Sequence, residues 1–255
     1  MKTIYCDGIF DLFHHGHLQH IAKIHTLFDE PINLLVGVIS DKVATKYKRK
    51  PKWDENIRTF VLNACINVSE AFVTDILVMD EAFLEKHKID YVVHAFTEED
   101  KQKQSAFFEV PVKLGKFIEM NYNMGVSTSE IIKQYDNIES EEKEEDNYQR
   151  EIVSYDLPFN IQDRDKILLV GSYFGGNLGT YRGICLDINS DRNPTNNRHG
   201  YPILNFSTNT RIFKDKYFDC VFYFGDVEIT PELYRISKCD ILFRIENQFV
   251  SENYL

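Results

Sequence analysis

The sequence is poor in cysteine, has no long apolar run and carries no excess of positive charge. Its five cysteines are an odd, scattered set without a CxxC pair, which argues against a disulfide framework and against a zinc site. The longest apolar stretch, residues 32–39, is too short to span a bilayer. The start of the chain is polar by residue 7, unlike a secretory signal. We therefore expect a cytoplasmic protein with no membrane segment.

The negative charge is concentrated in one stretch. The net charge of −11 argues against a nucleic-acid partner. Residues 137–165 carry ten acidic and three basic side chains, whereas residues 166–255 carry ten of each. Dense like charge repels itself and buries little, which predicts a linker or a solvated surface helix. We expect one domain over residues 1–136, this acidic linker, and a small domain over residues 166–255.

Short apolar runs alternate with helical patterns through the first domain. Strands are predicted at residues 2–6, 33–39, 71–77 and 91–94, and helices at residues 18–28 and 57–65. Apolar strands separated by amphipathic helices indicate an α/β fold with a Rossmann-like, doubly wound parallel sheet. Such sheets bind ligands at the carboxyl ends of their strands, where the strand order reverses. The residues that follow the first two strands are therefore the first place to look for chemistry.

The first predicted strand runs into a turn that carries two histidines. The chain reads DGIFDLFHHGH from residue 7 to residue 17, and a helical pattern follows directly. A glycine permits close backbone approach, and a helix start offers free N–H groups and the positive end of the helix dipole. His14 and His17 flank that start, where imidazoles can donate to a phosphate whose charge grows in a transition state. One histidine alone would indicate a helix cap, but two in HxGH spacing indicate an anion site.

Five cations follow the second predicted strand. They lie within seven residues and are Lys46, Lys48, Arg49, Lys50 and Lys52. A solvated basic loop is the ordinary explanation for such a run. Its position at the carboxyl end of a parallel sheet favours a phosphate-binding loop instead, because a loop lysine can close over a polyphosphate.

A glycine and three hydroxyl residues form the third candidate element. Gly125-Val126-Ser127-Thr128-Ser129-Glu130 leads into a helical pattern. Ser127 and Glu130 fit a capping box, and the same arrangement also makes a good anion cradle. The motif is weak alone, but together with the first two it completes a nucleotide site.

These motifs together resemble the cytidylyltransferases of the HxGH nucleotidyltransferase superfamily, nearest to the CTP:phosphocholine cytidylyltransferase catalytic domain. The segments that carry the resemblance occur in the family's order and spacing, over about residues 1–136: YCDGIFDLFHHGH, LLVGVISD, the lysine loop ending in DENIR, FLEKHKIDYVVH and GVSTSEII. The resemblance implies transfer of CMP from CTP to a phosphomonoester, with release of pyrophosphate. Phosphocholine is the first acceptor implied, with phosphoethanolamine or glycerol 3-phosphate next. It also implies Mg²⁺ carried with the nucleotide, no dedicated protein metal site, and a homodimer.

The resemblance also assigns roles to individual residues. The catalytic residues implied are His14, His17 and Lys48. The nucleotide-binding residues implied are Ile9, Phe10, Asp11, Arg58, Gly125, Ser127 and Thr128. A cationic acceptor would be bound by an acid and by aromatic faces. The candidates for binding the acceptor are Asp7, Trp53, Tyr91, His94 and Tyr122. For each aromatic residue, plain packing is the alternative.

The chain departs from the family at three places. Tyr122 and Ile66 stand where the family has arginines, and His94 is followed by Ala95 and Phe96 rather than by acids. Neither tyrosine nor isoleucine can replace an arginine, whose guanidinium binds a phosphate through two N–H groups. Two alternatives therefore stay open: a related transferase of altered nucleotide or acceptor specificity, and a nucleotide-binding protein whose catalysis is impaired. A cation from the basic loop could replace the missing arginines.

The second domain opens with a strand that runs into glycines. Residues 166–171 read as the strand, and Gly175, Gly176 and Gly179 follow it. This pattern suggests a dinucleotide or methyl-donor site with Asp187 as the ribose acid. Only seven residues separate Gly179 from Asp187, which argues against a βαβ crossover and favours a turn. Further strands near 217–224 and 241–245 and a helix near 231–237 predict a small mixed α/β domain, to which we assign no function.

Overall fold

The structure is a computed structural model that describes eight parts of the chain. These are residues 1–121, 128–133, 166–170, 185–188, 203–204, 211–224, 229–238 and 242–245. The chain divides into two compact units, Met1–Thr128 and Ser129–Leu255. The acidic linker expected at residues 137–165 lies outside the described residues. Within those residues, no helix has the length and apolar content needed to cross a bilayer.

The first unit is built on a five-stranded parallel sheet. Its strands are β1 (Lys2–Gly8), β2 (Ile32–Ile39), β3 (Glu70–Thr74), β4 (Tyr91–Phe96) and β5 (Phe117–Asn121). They lie in the order β3-β2-β1-β4-β5, and every pairing is parallel. The chain moves outward from β1 through β2 to β3 and then crosses back to β4, so the order reverses at β1. The predicted Rossmann-like fold is confirmed.

Helices connect these strands, as the alternation of patterns predicts. They are α1 (His15–His25), α2 (Asp41–Tyr47), α3 (Glu55–Ala64), α4 (Glu81–Lys86), α5 (Glu98–Gln104) and α6 (Glu109–Lys113), with a 3₁₀ turn at Ser105–Phe108. Side-chain oxygens accept backbone N–H groups at the starts of α2 to α5; they belong to Ser40, Asp54, Asp80 and Thr97. Such caps fix where a short helix begins. The caps at Ser40, Asp80 and Thr97 thereby give the chain a defined helix start after β2, β3 and β4.

Tyr5 fills the space above a glycine in the neighbouring strand. The Tyr5 side chain is fully buried and packs edge-on against Phe83, with ring centroids 5.2 Å apart. Its hydroxyl lies over Gly37 of β2, where an added Cβ would stand 2.0 Å from the oxygen and 2.8 Å from Cζ. No larger residue fits at position 37 while the tyrosine keeps this position.

We predict that Gly37→Ala destabilises the protein by ~1–3 kcal/mol, the usual cost of overpacking a core. Chemical denaturation followed by circular dichroism measures the change. Adding Tyr5→Phe should recover part of the loss, because the hydroxyl oxygen is the atom nearest to the new methyl group. Equal stability of Gly37→Ala and the natural chain would contradict the packing described.

The second unit also contains a five-stranded sheet. Its strands are β6 (Ile167–Val170), β7 (Cys185–Ile188), β8 (Ile203–Leu204), β9 (Cys220–Phe224) and β10 (Leu242–Ile245), and one of its described helices is α7 (Pro231–Ile236). The order is β10-β9-β6-β7-β8. The expected strands and helix are found within a few residues of their predicted positions. The described strands pair only in parallel.

Candidate functional site

The turn after β1 has an unusual backbone. Phe10 and Leu12 both have positive φ, 53° and 48°, and both side chains are buried. A non-glycine residue in this region costs roughly 1–3 kcal/mol and persists only where its surroundings enforce it. The ring of Phe10 lies against Gly8, where an added Cβ would come within 3.0 Å of it. The tight turn brings Ile9, Phe10 and Asp11, the predicted nucleotide-binding residues, to the carboxyl edge of the sheet.

The two histidines of the HxGH motif cap the start of α1 reciprocally. Nδ1 of His14 accepts the N–H of Gly16 at 3.1 Å, and Nδ1 of His17 accepts the N–H of His14 at 3.3 Å. A ring nitrogen that accepts carries no proton, so the Nε2 atom of each neutral ring carries it. The rings stack with their centroids 3.8 Å apart. For a lone histidine, capping a helix and binding an anion are alternative explanations. Here both are possible, because Nδ1 of each ring forms the cap and Nε2 of each ring carries a proton.

Burial keeps His17 neutral near pH 7. Desolvation, reinforced by neighbouring His14 and His20, holds the pKa of His17 well below its ordinary value. A neutral imidazole with its proton on Nε2 is a hydrogen-bond donor that adds no charge before a substrate arrives. A donor of this kind can respond to negative charge that develops on a bound anion.

Asp11 fastens the basic loop to this turn. Its carboxylate is 1% exposed and accepts the backbone N–H groups of Lys52 and Trp53, each at 3.0 Å. The guanidinium of Arg49 donates to the same carboxylate at 2.7 Å. The Asp11 carbonyl also accepts the hydroxyl of Thr128 at 3.0 Å, and this hydroxyl lies 3.5 Å from Nε2 of His14. One residue thus joins three of the predicted elements.

Arg58 joins the ends of the two central strands. Its guanidinium is fully buried. It donates to the carbonyls of Ile9, Ile39 and Trp53 at 2.5, 3.0 and 3.0 Å. It also pairs with the carboxylate of Asp41 at 2.6 Å. The resemblance implies that Arg58 helps to bind the nucleotide by holding the helix after the basic loop, and in the structure its guanidinium holds the backbone at the carboxyl ends of β1 and β2.

The lysines of the basic loop remain exposed. Lys48 follows the last turn of α2 as its C-cap, and Lys46, Lys48 and Lys50 are all exposed to solvent. None of their ammonium groups forms an ion pair with a residue that the structure describes. Arg49 differs from them because Asp11 holds it. Among the described residues, the exposed positive charge of this loop that no carboxylate pairs therefore belongs to Lys46, Lys48 and Lys50.

A second polar group lies beside the histidines. Asp7, at the end of β1, is bonded to Nδ1 of His94, at the end of β4, across 3.1 Å. The His94 ring also contacts Phe96 and Phe108, each at a centroid distance of 4.6 Å. The two strands lie side by side where the sheet order reverses, so the structure brings together two of the predicted acceptor residues.

Two neighbours of Asp7 were missed in the sequence. Burial, then His94 and Lys23, lower the pKa of His20 to about 4, opposed by Asp7. Burial, then Asp7 and Asp100, raise the pKa of Tyr47 to about 12. His20 follows His14 and His17 at the same three-residue interval. That interval keeps residues on one side of a helix and was a usable signal, whereas nothing in the sequence singles out Tyr47.

Other predicted residues do not join the site. Tyr91 lies at the amino end of β4, paired with Ile4 and packed near Phe28, at the opposite edge of the sheet. Trp53 is 1% exposed and offers no face to an acceptor. Ile66, where the family has an arginine, lies between α3 and β3, also toward the amino edge. Tyr122, Gly125 and Ser127 lie outside the described residues.

Comparisons with known proteins agree with this architecture. Choline-phosphate cytidylyltransferase 2 of Arabidopsis thaliana is 39% identical over 131 residues, which cover 51% of this chain and 43% of the relative. A probable choline-phosphate cytidylyltransferase of Schizosaccharomyces pombe is 35% identical over 133 residues, which cover 51% of this chain and 35% of the relative. The chain thus spans less than half the length of these curated relatives.

A solved structure and a family model complete the comparisons. The lipopolysaccharide core biosynthesis protein of Thermoplasma volcanium GSS1 aligns with 48% of this chain and 98% of its own, at 22% identity and a TM-score of 0.37. A likeness of that size does not establish a function. The model of the cytidylyltransferase-like family matches residues 5–134, about half of the chain, and includes the paired histidines, the basic loop and Thr128. The resemblance is confirmed: the chain belongs to the cytidylyltransferase-like family.

Proposed function

We propose that the first unit transfers the cytidylyl group of CTP to a phosphomonoester and releases pyrophosphate. The observation that carries the proposal is the reciprocal cap of His14 and His17. It directs two Nε2–H donors away from the helix start, at the carboxyl edge where β1 and β4 part. Donors fixed before the substrate binds need no reorganisation when charge develops, which is the main source of electrostatic catalysis.

The triphosphate would lie between the start of α1 and the basic loop. The positive end of the α1 dipole and the two histidines face negative charge from one side. Lys48 and Lys50 can approach from the other, since they are exposed and form no ion pair with the described residues. The hydroxyl of Thr128 lies beside His14. These groups would hold the three phosphates in one orientation.

The proposed reaction is a direct displacement at the α-phosphorus of CTP. An anionic oxygen of the acceptor phosphate forms a bond to that phosphorus, while the bond from phosphorus to the oxygen that bridges to the β-phosphate breaks. Pyrophosphate leaves with the electron pair, and a new phosphoanhydride remains. The attacking oxygen carries no proton, so no general base is required. His14, His17 and Lys48 would act by positioning the substrates and stabilising charge.

We propose that Mg²⁺ reaches this site on the nucleotide. Among the described residues, no three histidine, cysteine or carboxylate side chains converge as a metal site. Asp11 and Asp41 are occupied by N–H donors and arginines. Mg²⁺ commonly keeps most of its water and binds phosphates with little help from protein carboxylates. Bound in that way, it would neutralise part of the triphosphate charge.

Phosphocholine is the first acceptor that we propose. The relatives from Arabidopsis thaliana and Schizosaccharomyces pombe are both named choline-phosphate cytidylyltransferases. Asp7 is an acid at the carboxyl edge that could face the acceptor's cation. Because Asp7 is shared with His94, and because Trp53 is buried, the aromatic face for a quaternary ammonium is weaker than expected. Phosphoethanolamine, whose ammonium group can donate hydrogen bonds to Asp7, and glycerol 3-phosphate are therefore the next candidates.

Pyrophosphate release tests the proposal. The full chain with Mg²⁺ and CTP should release pyrophosphate with one of these three acceptors and not with the others, and ATP in place of CTP should give little. Calorimetry with CTP alone provides the control for binding. If the protein binds CTP but releases no pyrophosphate with any acceptor, transfer to these acceptors is wrong and a nucleotide-binding protein is supported.

We predict that His17→Ala lowers kcat by at least about 10²-fold, because it removes a donor to the transferred phosphate. The neighbouring His15 is exposed and makes the matched control: His15→Ala should keep kcat within about twofold. Since His17 also caps α1, a thermal melt of each variant separates loss of fold from loss of chemistry. A folded His17→Ala protein with a normal kcat would refute the mechanism.

We predict that Lys48→Ala lowers kcat/KM for CTP by about 10²-fold, the usual scale for losing one charged contact to the transition state. Lys46→Ala removes an equally exposed lysine two residues earlier and should change kcat/KM less than threefold. Steady-state rates at several CTP concentrations make the comparison. Equal losses in the two variants would mean that the loop acts through its total charge and that Lys48 has no special position.

A further inference from the structure

The acceptor end of the candidate site has an acid but no aromatic face from the described residues that the sequence singled out. Asp7 lies there and is bonded to His94. Trp53 is enclosed, and Tyr91 lies at the amino edge of the sheet. A cation is attracted to the face of an aromatic ring. A ring beside Asp7 would therefore complete a site for a cationic acceptor.

Helix α2 is held against the carboxyl edge at both of its ends. Asp41, its first residue, pairs with the buried guanidinium of Arg58 at 2.6 Å. Just beyond its last turn, Arg49 donates to the carboxylate of Asp11 at 2.7 Å. Both partners contact the chain around the turn that follows β1. The side chains near the end of α2 are therefore kept beside that turn.

Tyr47 is the last residue of α2 and lies on the inward side of the helix. Ala44, three residues earlier, is fully buried, and residues three apart share one side of a helix. Tyr47 is nevertheless 38% exposed, so its side chain lies at the rim of the packed surface. Among the residues that the structure describes, no lysine or arginine stands over its ring. The ring is therefore open to a cation from outside the protein.

Two carboxylates act on the Tyr47 hydroxyl from neighbouring strands. Burial, then Asp7 and Asp100, raise the pKa of this hydroxyl to about 12, opposed by Arg58. Asp7 lies near the end of β1, and Asp100 lies in the first turn of α5, just after β4. Strands β1 and β4 are paired where the sheet order reverses. The phenol stays protonated at neutral pH, so the ring adds no charge of its own beside the two acids.

Asp100 supplies an acid close to the place where the family has one. In this chain two apolar residues follow His94, and the next capped helix begins after them. The Thr97 hydroxyl accepts the N–H of Asp100 at 3.0 Å, which fixes this turn. The Asp100 carboxylate accepts the side-chain amide of Gln104 at 3.2 Å. An amide carries no charge, so the negative charge of Asp100 is left for a cation.

We infer that Tyr47 is a specificity-determining residue that selects an acceptor carrying a cation, with Asp7 and Asp100 as the acids that accompany its ring. The inference rests on the reaction proposed above and narrows its acceptor. A cation gains attraction from the ring face and from both carboxylates. A phosphomonoester with a neutral end, such as glycerol 3-phosphate, gains neither. The acceptor class is therefore a phosphorylated amino alcohol with a primary or a quaternary ammonium group.

Calorimetry on the full chain tests this selection with two pairs of compounds that differ only in charge. Phosphocholine is compared with 3,3-dimethylbutyl phosphate, and phosphoethanolamine with propyl phosphate, each with and without CMP, which cannot react. In at least one pair the cationic member should bind at least about 10-fold more tightly than its neutral isostere. Equal affinities in both pairs, or no binding of any of these compounds, would overturn the inference.

Substitutions of tyrosine then assign the ring. Tyr47→Leu should weaken the cationic compound at least about 5-fold and its neutral isostere less than twofold, because only the cation uses the ring face. Tyr47→Phe keeps the ring and should keep the preference. The matched control is Tyr91→Leu, which removes a ring at the amino edge of the same sheet and should leave the preference unchanged.

A purely structural role for Tyr47 would change the affinities of both members of a pair alike, and a thermal melt of each variant reports any loss of fold. A folded Tyr47→Leu protein that keeps the full preference would overturn the inference.

The pyrophosphate assay separates this inference from the proposed reaction. Suppose that the natural chain prefers the cationic compound, Tyr47→Leu loses the preference, and no pyrophosphate is released. The reaction is then wrong, and the assignment of Tyr47 to cation binding stands. Pyrophosphate release from CTP with an acceptor preference that is the same in the natural chain and in Tyr47→Leu would refute the role of Tyr47 alone.

Discussion

The buried carboxylate of Asp11 is the interaction on which the geometry of the first site depends. It closes the turn after β1 and holds two backbone N–H groups of the basic loop and the guanidinium of Arg49. Because this carboxylate is 1% exposed, loss of the guanidinium would leave a buried negative charge without its cation. Arg49 is therefore committed to the fold. It cannot replace the missing family arginines, and within the basic loop Lys50 is the better candidate.

Because Asp11 holds Arg49, the arginines and the lysines of the site have different roles. Arg49 and Arg58 face inward, and Arg58 alone joins three backbone carbonyls with its planar set of donors, which suits fixed acceptors in different directions. Lys48 and Lys50 face solvent, where a compact charge on a flexible stem can follow a polyphosphate as it binds. The arginines shape the site, and the lysines and histidines are left to meet the substrate. The arginine missing at Ile66 belongs to neither group, because that residue lies toward the other edge of the sheet.

Much of the first unit's fold and of its candidate site was predictable, because the sequence signals for them are local. Strand β2 is buried almost throughout and reads as one continuous apolar run, and the HxGH turn is contiguous in sequence. Helices α4 to α6 have only five to seven residues each, fewer than two turns, so they show no apolar period. Burial was the second feature that the sequence did not show. Residue type predicts that Trp53 and Tyr91 offer aromatic faces to an acceptor. Only the packing shows that Trp53 is enclosed and that Tyr91 lies at the amino edge of the sheet. The sharing of Asp7 with His94 depends on strand order, which no local pattern contains.

In the second unit, too, the sequence pattern did not show how the strands are ordered and connected. Its glycines and Asp187 were visible in the sequence, yet the spacing was counted between motif residues rather than between strand ends. A crossover begins where the last paired residue of one strand ends, at Val170, and finishes where the next strand begins, at Cys185. Counted in that way, the connection is long enough for a parallel pair. Both described sheets place their first strand in the centre, and the strand order reverses beside it. The pairing of two strands, rather than the residues between them, therefore determines how long their connection must be.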